Sequence, residues 1–272
     1  MDCNATICYY HIMIGFLLRK TIYDLWDNMF RIVFINLGFV AVSAIPIFLP
    51  RLAALFVDST ALEIGLSAFG ILLCCIYLAA AAHSLKSISD YGVFSFVDFL
   101  RGFKTAWPAG LVMGAFVFAL FLIITIVIPF YMSIESMAGL VLAMLVFWVT
   151  IFAILSFQFY FTVYARLSAN LIKAFRKCMI ISMDNSGLAL FLFLHNIAAL
   201  LLSIFLAFMF PGPAGVLLYL DQALRLRLLK YDWLEANPGA NRRKIPWDAL
   251  LIEEREKTGV RSLKNFIFPW KD

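Results

Sequence analysis

Charged side chains are scarce in this sequence. Only 14% of its 272 residues are Asp, Glu, Lys or Arg, whereas 64% belong to the apolar set AVILMFWYC. Soluble domains average roughly 25% charged and 45–50% apolar residues, so this chain has too little polar surface to cover a folded core in water. The scarcity excludes an ordinary soluble globular domain and predicts a protein whose solvent is the lipid bilayer.

Motifs for catalysis and ligand binding are also missing. The sequence contains no HExxH, GxSxG, P-loop or paired-carboxylate pattern. Its three histidines lie far apart and its five cysteines form no CxxC spacing, so we expect no metal site and no cofactor. Basic residues follow the loops between apolar runs, so we expect no nucleic-acid binding. These absences favour a non-enzymatic protein.

Long apolar runs are what the sequence does contain. A helix needs about 20 apolar residues to cross a hydrocarbon core of about 30 Å. Runs near this length predict six transmembrane helices, over residues 32–49, 61–85, 109–131, 137–164, 188–210 and 213–229. Asp221 interrupts the sixth run, and Pro46 and Pro50 are expected to close the first. Short connections pair the six predicted spans into three hairpins.

Lysine and arginine are distributed unevenly between the loops. Alternate segments hold most of them: Arg19, Lys20 and Arg31; Lys86, Arg101 and Lys104; Arg166, Lys173, Arg176 and Lys177; Arg225, Arg227 and Lys230. The opposite loops hold Arg51 with Asp58 and Glu63, then Glu135, then an uncharged Pro211-Gly212-Pro213. Because basic loops are retained in the cytoplasm, this pattern predicts cytoplasmic N and C termini.

Each outward-going run follows a short amphipathic stretch, at residues 16–29, 94–107 and 168–183. Apolar side chains recur there at helical spacing opposite charged ones, as in helices that lie in the membrane interface. The predicted fold class is an all-α membrane protein with six transmembrane helices in three hairpins, each preceded by an amphipathic interfacial helix. The predicted domains are an N-terminal segment with an interfacial helix (1–29), a six-span transmembrane domain (30–230) and a cytoplasmic tail with a short helix (231–272).

Polar residues inside the predicted spans are the candidates for function, because ionisable groups are costly in the membrane. Asp221 lies eight residues into the sixth run, or about 12 Å along a helix, which predicts a position near the midplane. Hairpin geometry pairs Asp221 with Arg225 or Ser203 and puts His195 nearer Arg227. A structural ion pair and a site in a cavity open to the cytoplasm both stay open. The candidate substrate-binding residues are Asp221, Arg225, His195 and Asn196.

Two sets of small residues predict close helix packing. Gly110 and Gly114 form a GxxxG step in the third run, and Ala199, Ser203 and Ala207 recur one turn apart in the fifth. Small side chains let helix backbones approach closely in lipid. Chance spacing in a chain rich in small residues is the alternative for each set.

Several stretches together resemble the YesL-like family of bacterial integral membrane proteins. They are Asn36 with the apolar run to Pro46, the DFLRGFK stretch at 98–104, the basic stretch at 173–176, and the turn Pro211-Gly212-Pro213 leading to Gln222. The resemblance covers about residues 16–234 and rests on pattern more than on a rigid motif. It implies the bacterial cytoplasmic (inner) membrane. Since some members are encoded beside carbohydrate-uptake systems, it also implies a transport-associated role.

Three functions follow, in order of preference. The first is a non-enzymatic accessory or assembly component of a solute transport system, with carbohydrate as the solute that the resemblance implies. The alternative is a small secondary carrier with an inward-facing polar cavity near Asp221, and a membrane enzyme comes last. A carrier is expected to build a midplane site from several discontinuous helices, whereas here only Asp221 lies there.

The C-terminal tail is too charged to cross the membrane, yet it carries an apolar aromatic stretch at 266–270. A short helix is expected after Pro246, with Trp247, Leu250 and Leu251 on one face. Because this helix carries three glutamates, we expect it to dock on the surface helices of this chain or on a partner protein rather than on anionic lipid. The expected partners are therefore the lipid bilayer and a transport subunit or cytoplasmic protein bound through the tail; a homo-oligomer stays open.

Overall fold

A computed structural model describes residues 5–167, 170–242 and 245–259, with the backbone alone for residues 5–11. The chain is all-helical, with 86% helix and no strand within these ranges. The helices are α1 (Ala5–Asp27), α2 (Met29–Ala54), α3 (Thr60–Ser89), α4 (Phe96–Leu122), a π-helical segment (Ile123–Val127), α5 (Ile128–Ser133), α6 (Met137–Phe157), α7 (Tyr160–Leu167), α8 (Leu171–Asp184), α9 (Ser186–Phe205), α10 (Gly212–Ala236), α11 (Trp247–Leu250) and α12 (Ile252–Thr258).

Five segments are long and apolar enough to cross a membrane. They are α2, α3, the continuous segment Phe96–Ser133, α6 and α9. Together they indicate a multi-pass membrane protein, as the composition predicts. The sixth predicted run, residues 213–229, is not among them, because it lies in α10 and contains three charged residues, Asp221, Arg225 and Arg227.

Several predicted boundaries are wrong in ways that involve proline. α2 continues through Pro46 and Pro50 to Ala54, so these prolines do not close the first span. The predicted surface helix at 94–107 is not a separate element, because α4 runs from Phe96 through Pro108 into the apolar region. Proline removes one backbone donor, but membrane helices tolerate it where neighbouring groups satisfy the freed carbonyl.

Small residues determine how closely α3 and α4 pack. A Cβ atom added at Gly110 would lie 2.5 Å from the Cα of Ile76, and one at Gly114 would meet the side chain of Leu72. Only glycine fits at such a contact. The second predicted set does not form a continuous stripe, because α9 ends at Phe205 and Ala207 lies beyond it, exposed and with φ of 50°.

α10 is the central helix, although it is the least apolar of the helices of twenty or more residues. It contacts α1, α2, α3, α7 and α9, and fourteen of its residues between Gly212 and Lys230 are buried. Pro213 favours the first turn, since its missing N–H is not needed there. The surrounding helices therefore cover four polar side chains of α10, Asp221, Gln222, Arg227 and Lys230.

The tail packs back onto the N-terminal helix. α11 and α12 contact α1, and Ile245, Trp247 and Leu251 are buried there. Gly259 follows α12 with φ of 70° and ends the helix. The predicted docking on protein is thus intramolecular for residues 245–259, while the aromatic stretch at 266–270 lies outside the described residues.

Candidate functional site

The polar side chains of α10 are the starting point for a candidate site. Asp221, Gln222, Arg227 and Lys230 are all buried. A buried charge is costly unless it is paired and hydrogen-bonded. The partners must come from the helices that surround α10, and so from distant parts of the sequence.

Asp221 is bound by an arginine from α7. The Asp221 side chain is 1% exposed, and Arg166 donates from Nε to Oδ1 at 2.6 Å and from Nη2 to Oδ2 at 2.5 Å. Two parallel charge-assisted bonds of this kind fix both position and orientation. The prediction that Asp221 pairs with Arg225 or Ser203 is therefore wrong. That prediction considered only the hairpin of α9 and α10, whereas the partner lies 55 residues away.

Arg166 also connects Asp221 to the end of α3. Its Nη1 lies 3.0 Å from Oδ1 of Asp90, the residue that directly follows α3. The Asp221 carboxylate therefore lies beside the end of a long apolar helix, while its depth in the membrane stays a prediction. Burial acts to lower the pKa of Arg166, but Asp221 and Asp90 outweigh this effect and raise the pKa, so the guanidinium stays charged.

Arg225 approaches the same oxygen of Asp90 as Arg166 does, and it also binds the tail. Its Nη1 lies 3.5 Å from Oδ1 of Asp90 and donates to the carbonyl of Ser89. Its Nη2 donates to Oε1 of Glu254 in α12 at 2.7 Å. Glu254 is only 5% exposed, so the tail supplies a buried carboxylate. Arg225 is thus held by α3 and α12 rather than by Asp221.

Tyr91 joins the tail to α1. Its hydroxyl donates to Oε2 of Glu254 at 2.8 Å, and Nζ of Lys20 lies 3.7 Å from the centre of its ring. Lys20 also bonds Asp24 at 2.7 Å, and a cation over an aromatic face is further stabilised. Burial lowers the pKa of Lys20, and the neighbouring Asp24 offsets part of this shift.

Gln222 completes the connection between α10 and α1. Its Nε2 donates to Oδ2 of Asp24 at 2.6 Å, and its Oε1 accepts from the hydroxyl of Thr21 at 2.5 Å. We call the whole set the ionic network. Its members are Lys20, Thr21, Asp24, Asp90, Tyr91, Arg166, Asp221, Gln222, Arg225 and Glu254.

The remaining candidate residues lie elsewhere. The His195 ring stacks on Tyr219 with centroids 3.9 Å apart, and Asn196 donates to Oε1 of Gln158 at 3.3 Å. His195 was expected near Arg227, but the Arg227 guanidinium donates to Met13 Sδ at 3.1 Å. The structure therefore does not bring His195 and Asn196 together with Asp221 and Arg225 in one site.

Two cavities are relevant to binding. One, of about 490 Å³, lies where α8 meets the end of α10 and is lined by Asp184, Tyr231, Glu235 and Arg242 among others. Lys230 Nζ lies 3.1 Å from Oδ2 of Asp184 at its edge. The other, of about 340 Å³, lies between α1, α9 and α10 and is almost wholly apolar. Asp221 lines neither cavity.

The charged side chains of the ionic network neutralise one another. Its three cations and four carboxylates contact one another, and the Asp221 carboxylate has both oxygens engaged by Arg166. Within the described ranges, no three His, Cys, Asp or Glu side chains are placed to hold a metal ion.

No family model, curated protein or solved structure matches this chain. Function must therefore be argued from the site itself.

Sequence reasoning missed most of the ionic network. Arg166 was counted only as a basic loop residue that reports orientation, and Asp90 and Glu254 lie in a turn and in the tail. Asp90 and Arg166 share one signal, a charged residue within five residues of the end of a predicted span, and Glu254 lies far from any such end. That signal is weak, because most charges at such positions are solvated.

Proposed function

We propose that this chain is a non-enzymatic multi-pass protein of the bacterial cytoplasmic membrane that serves as an accessory or assembly component of a solute transport system. The observation that carries the proposal is the bidentate pairing of buried Asp221 with Arg166. A group that binds and releases a solute or proton must exchange partners. The pairing instead favours a structural role, and the resemblance to YesL-like proteins supports the link to transport.

Both termini are proposed to face the cytoplasm, because the basic residues alternate between loops. The expected six crossings in three hairpins would bring both termini to that side. Four crossings followed by a hairpin that re-enters from the cytoplasm would do the same.

An apolar surface suited to partner helices supports the accessory role. Only 6% of the most apolar stretch of Phe96–Ser133 is buried within the chain. α6 also exposes large apolar side chains, including Leu145, Phe147 and Trp148. In lipid such surfaces associate through close van der Waals packing with another helix.

A small carrier is the second candidate, and one observation favours it. The cavity of about 490 Å³ near Asp184 holds several polar and charged side chains next to the ends of α8 and α10. A solute site there would be inward-facing, as expected for the carrier, but it would use Asp184 and Arg242 rather than Asp221.

Reconstitution separates the two candidates. The purified full chain is placed alone in liposomes with a proton gradient, and uptake of a panel of radiolabelled sugars is measured. An accessory protein should give no uptake above that of empty liposomes. In cells, deletion of its gene should lower both the abundance of a transport subunit and solute uptake. Saturable uptake by the chain alone, abolished in Asp184→Asn, would establish the carrier instead.

A further inference from the structure

The turn between α9 and α10 differs in composition from the turns of the other long helices. From residue 204 to residue 218 no side chain carries a nitrogen or oxygen atom. The turn between α2 and α3 contains Asp58 and Ser59, and the turn between α5 and α6 contains Glu135. Turns that meet water carry such polar residues, because connecting segments are solvated. The α9–α10 turn has no such feature.

Buried side chains satisfy four backbone groups of this turn. The Asn36 amide donates to the carbonyls of Met209 and Pro211 at 2.9 and 2.8 Å and accepts from the N–H of Ala214 at 2.9 Å. The Ser203 hydroxyl accepts from the N–H of Gly212 at 2.9 Å. Irregular backbone is tolerated at membrane depth only where its polar groups find such partners.

Gly212 shows how close this contact is. The residue has φ of 61°, and a Cβ added to it would collide with the side-chain amide of Asn36. Asn36 itself is fully buried. The turn is therefore fitted to the side of α2 rather than left free at the end of a hairpin.

Helix lengths show how far the turn reaches. α2 continues for eighteen residues beyond Asn36, about 27 Å at roughly 1.5 Å per residue. Tyr77 donates to the carbonyl of Ile35 at 2.7 Å, and α3 extends seventeen residues from Tyr77 to its other end, about 26 Å. α2 and α3 still touch in that region, where Gly70 packs on Pro46. The α9–α10 turn thus ends well short of the α2–α3 turn.

The free surface of the turn is apolar. Phe205 is 86% exposed, and Leu206, Phe208 and Met209 are also exposed. A cluster of this kind is unfavourable in water but compatible with acyl chains. Near the middle of α10, thirteen residues after Gly212, Arg225 reaches the carbonyl of Ser89, where α3 ends among charged residues.

We infer that α9 and α10 form a re-entrant hairpin, which turns inside the hydrocarbon and returns to the face from which it entered. Residues 205–209 contact lipid acyl chains at its tip. The chain then crosses the membrane four times, through α2, α3, Phe96–Ser133 and α6. That the face of entry is the cytoplasmic one rests on the proposed orientation.

Two equally exposed phenylalanines provide a matched test, since Phe56 in the α2–α3 turn and Phe205 are each 86% exposed. Phe56→Cys, Phe205→Cys and Val93→Cys are made in a full-length chain without its native cysteines. Each is treated with an impermeant maleimide in intact cells and in inside-out vesicles. Phe56→Cys should react in cells and Val93→Cys only in vesicles. Phe205→Cys should react on the order of tenfold more slowly than these controls from either side, because water is excluded from the hydrocarbon.

A second readout identifies what covers the tip. A phospholipid with a diazirine midway along one acyl chain should cross-link to residues 205–209 and not to residues 55–59. Labelling of Phe205→Cys in cells as fast as Phe56→Cys would restore the sixth crossing and overturn the inference. Protection from maleimide without lipid cross-linking would show that protein covers the tip, which overturns the lipid contact. Reaction of Phe56→Cys only in inside-out vesicles would reverse the orientation while leaving the hairpin to be judged by Phe205→Cys.

Discussion

The hairpin of α2 and α3 and the hairpin of α9 and α10 both contain helices apolar enough to cross a membrane, α2, α3 and α9, yet the turns of the two hairpins differ in composition and in backbone bonding. The first turn holds Asp58 and Ser59 and exposes its backbone, whereas the second is apolar and its backbone is bonded by Asn36 and Ser203. By length and hydropathy alone, α9 could cross the membrane as α2 and α3 could. The partners of the backbone hydrogen-bonding groups distinguish the two kinds of turn: a turn at the surface can bond to water, whereas a turn inside the membrane must bond to other protein groups.

The two hairpins also differ in what anchors them. α10 is tied to α1, α3, α7 and α12 by the ionic network, while α2 and α3 pack through small residues and proline. The second hairpin should therefore be sensitive to changes of the single polar side chains that bind it, and the α2–α3 turn should not be sensitive to such changes. Substitutions at Asp221, Phe205, Asn36 and Asp184, with their controls, test this difference.

The largest effect is expected for Asp221→Asn. The change leaves the buried Arg166 without its bidentate partner, and breaking a buried pair costs about 3–5 kcal/mol. Asp58→Asn in the α2–α3 turn is the control and should change stability by less than about 0.5 kcal/mol. Chemical denaturation in lipid bicelles measures both.

A second variant distinguishes lost pairing from lost function. Asp221→Leu combined with Arg166→Met removes both charges and should recover most of the stability lost in Asp221→Asn. A stable Asp221→Asn variant that lacks all cellular activity would contradict the structural role of the pair.

Charge at the two turns should have unequal costs. Phe205→Lys puts an ammonium into the hydrocarbon, which costs about 2.5–3.5 kcal/mol. Phe56→Lys, at an equally exposed position, should cost almost nothing because its turn meets water. The folded fraction after membrane insertion, measured by size-exclusion chromatography of a fluorescent fusion, reports the difference. Equal yields of the two variants would remove the contrast between the hairpins.

Loss of the turn's cap should have a smaller effect. Asn36→Leu leaves two carbonyls and one N–H of the α9–α10 turn without partners, at a cost of about 1–3 kcal/mol. Ser59→Ala removes the corresponding cap of α3, which accepts from the N–H of Leu62, and should cost about 1 kcal/mol or less. Thermal unfolding in detergent compares the two variants. A larger loss of stability for Ser59→Ala than for Asn36→Leu would contradict the proposed difference between the two turns.

The smallest effect concerns acid sensitivity at the base of the second hairpin. Burial acts to raise the pKa of Asp184, but Tyr231 and Lys230 outweigh it and lower the pKa below its ordinary value of 3.8. A carboxyl with a depressed pKa stabilises the fold above that ordinary value and loses this contribution as pH falls through the folded pKa. Asp184→Asn should therefore flatten the acid side of the stability profile, and Tyr231→Phe should flatten it partly. A steeper loss of stability with falling pH in either variant would contradict the predicted direction of the Asp184 pKa shift.

The sequence predicts the apolar helices well because bilayer thickness imposes a length and a composition on each. The termini of those helices are less predictable, as Pro46, Pro50 and Pro108 show. Each proline lies inside a helix, since the packing of the whole helix outweighs one lost hydrogen bond.

The candidate site was predicted in part. Asp221 was identified from its cost in an apolar run, which is a property of the residue alone. Its partner was not, because Arg166 is brought near by the arrangement of α7 against α10 rather than by spacing along one hairpin. The apolar turn at 205–212 was visible as an uncharged loop, but only the bonds from Asn36 show what that composition means.

The depth of Phe205 is the measurement that tests the re-entrant hairpin most directly. Spin labels on Phe205→Cys and Phe56→Cys are attached in detergent, and the protein is reconstituted into a bilayer. Collision of each label with oxygen and with a water-soluble nickel chelate is then compared. The hairpin predicts that the Phe205 label meets oxygen far more readily than nickel and lies within the hydrocarbon, whereas the Phe56 label meets both. Equal nickel accessibility of the two labels would show that α9 crosses the membrane and would contradict the account.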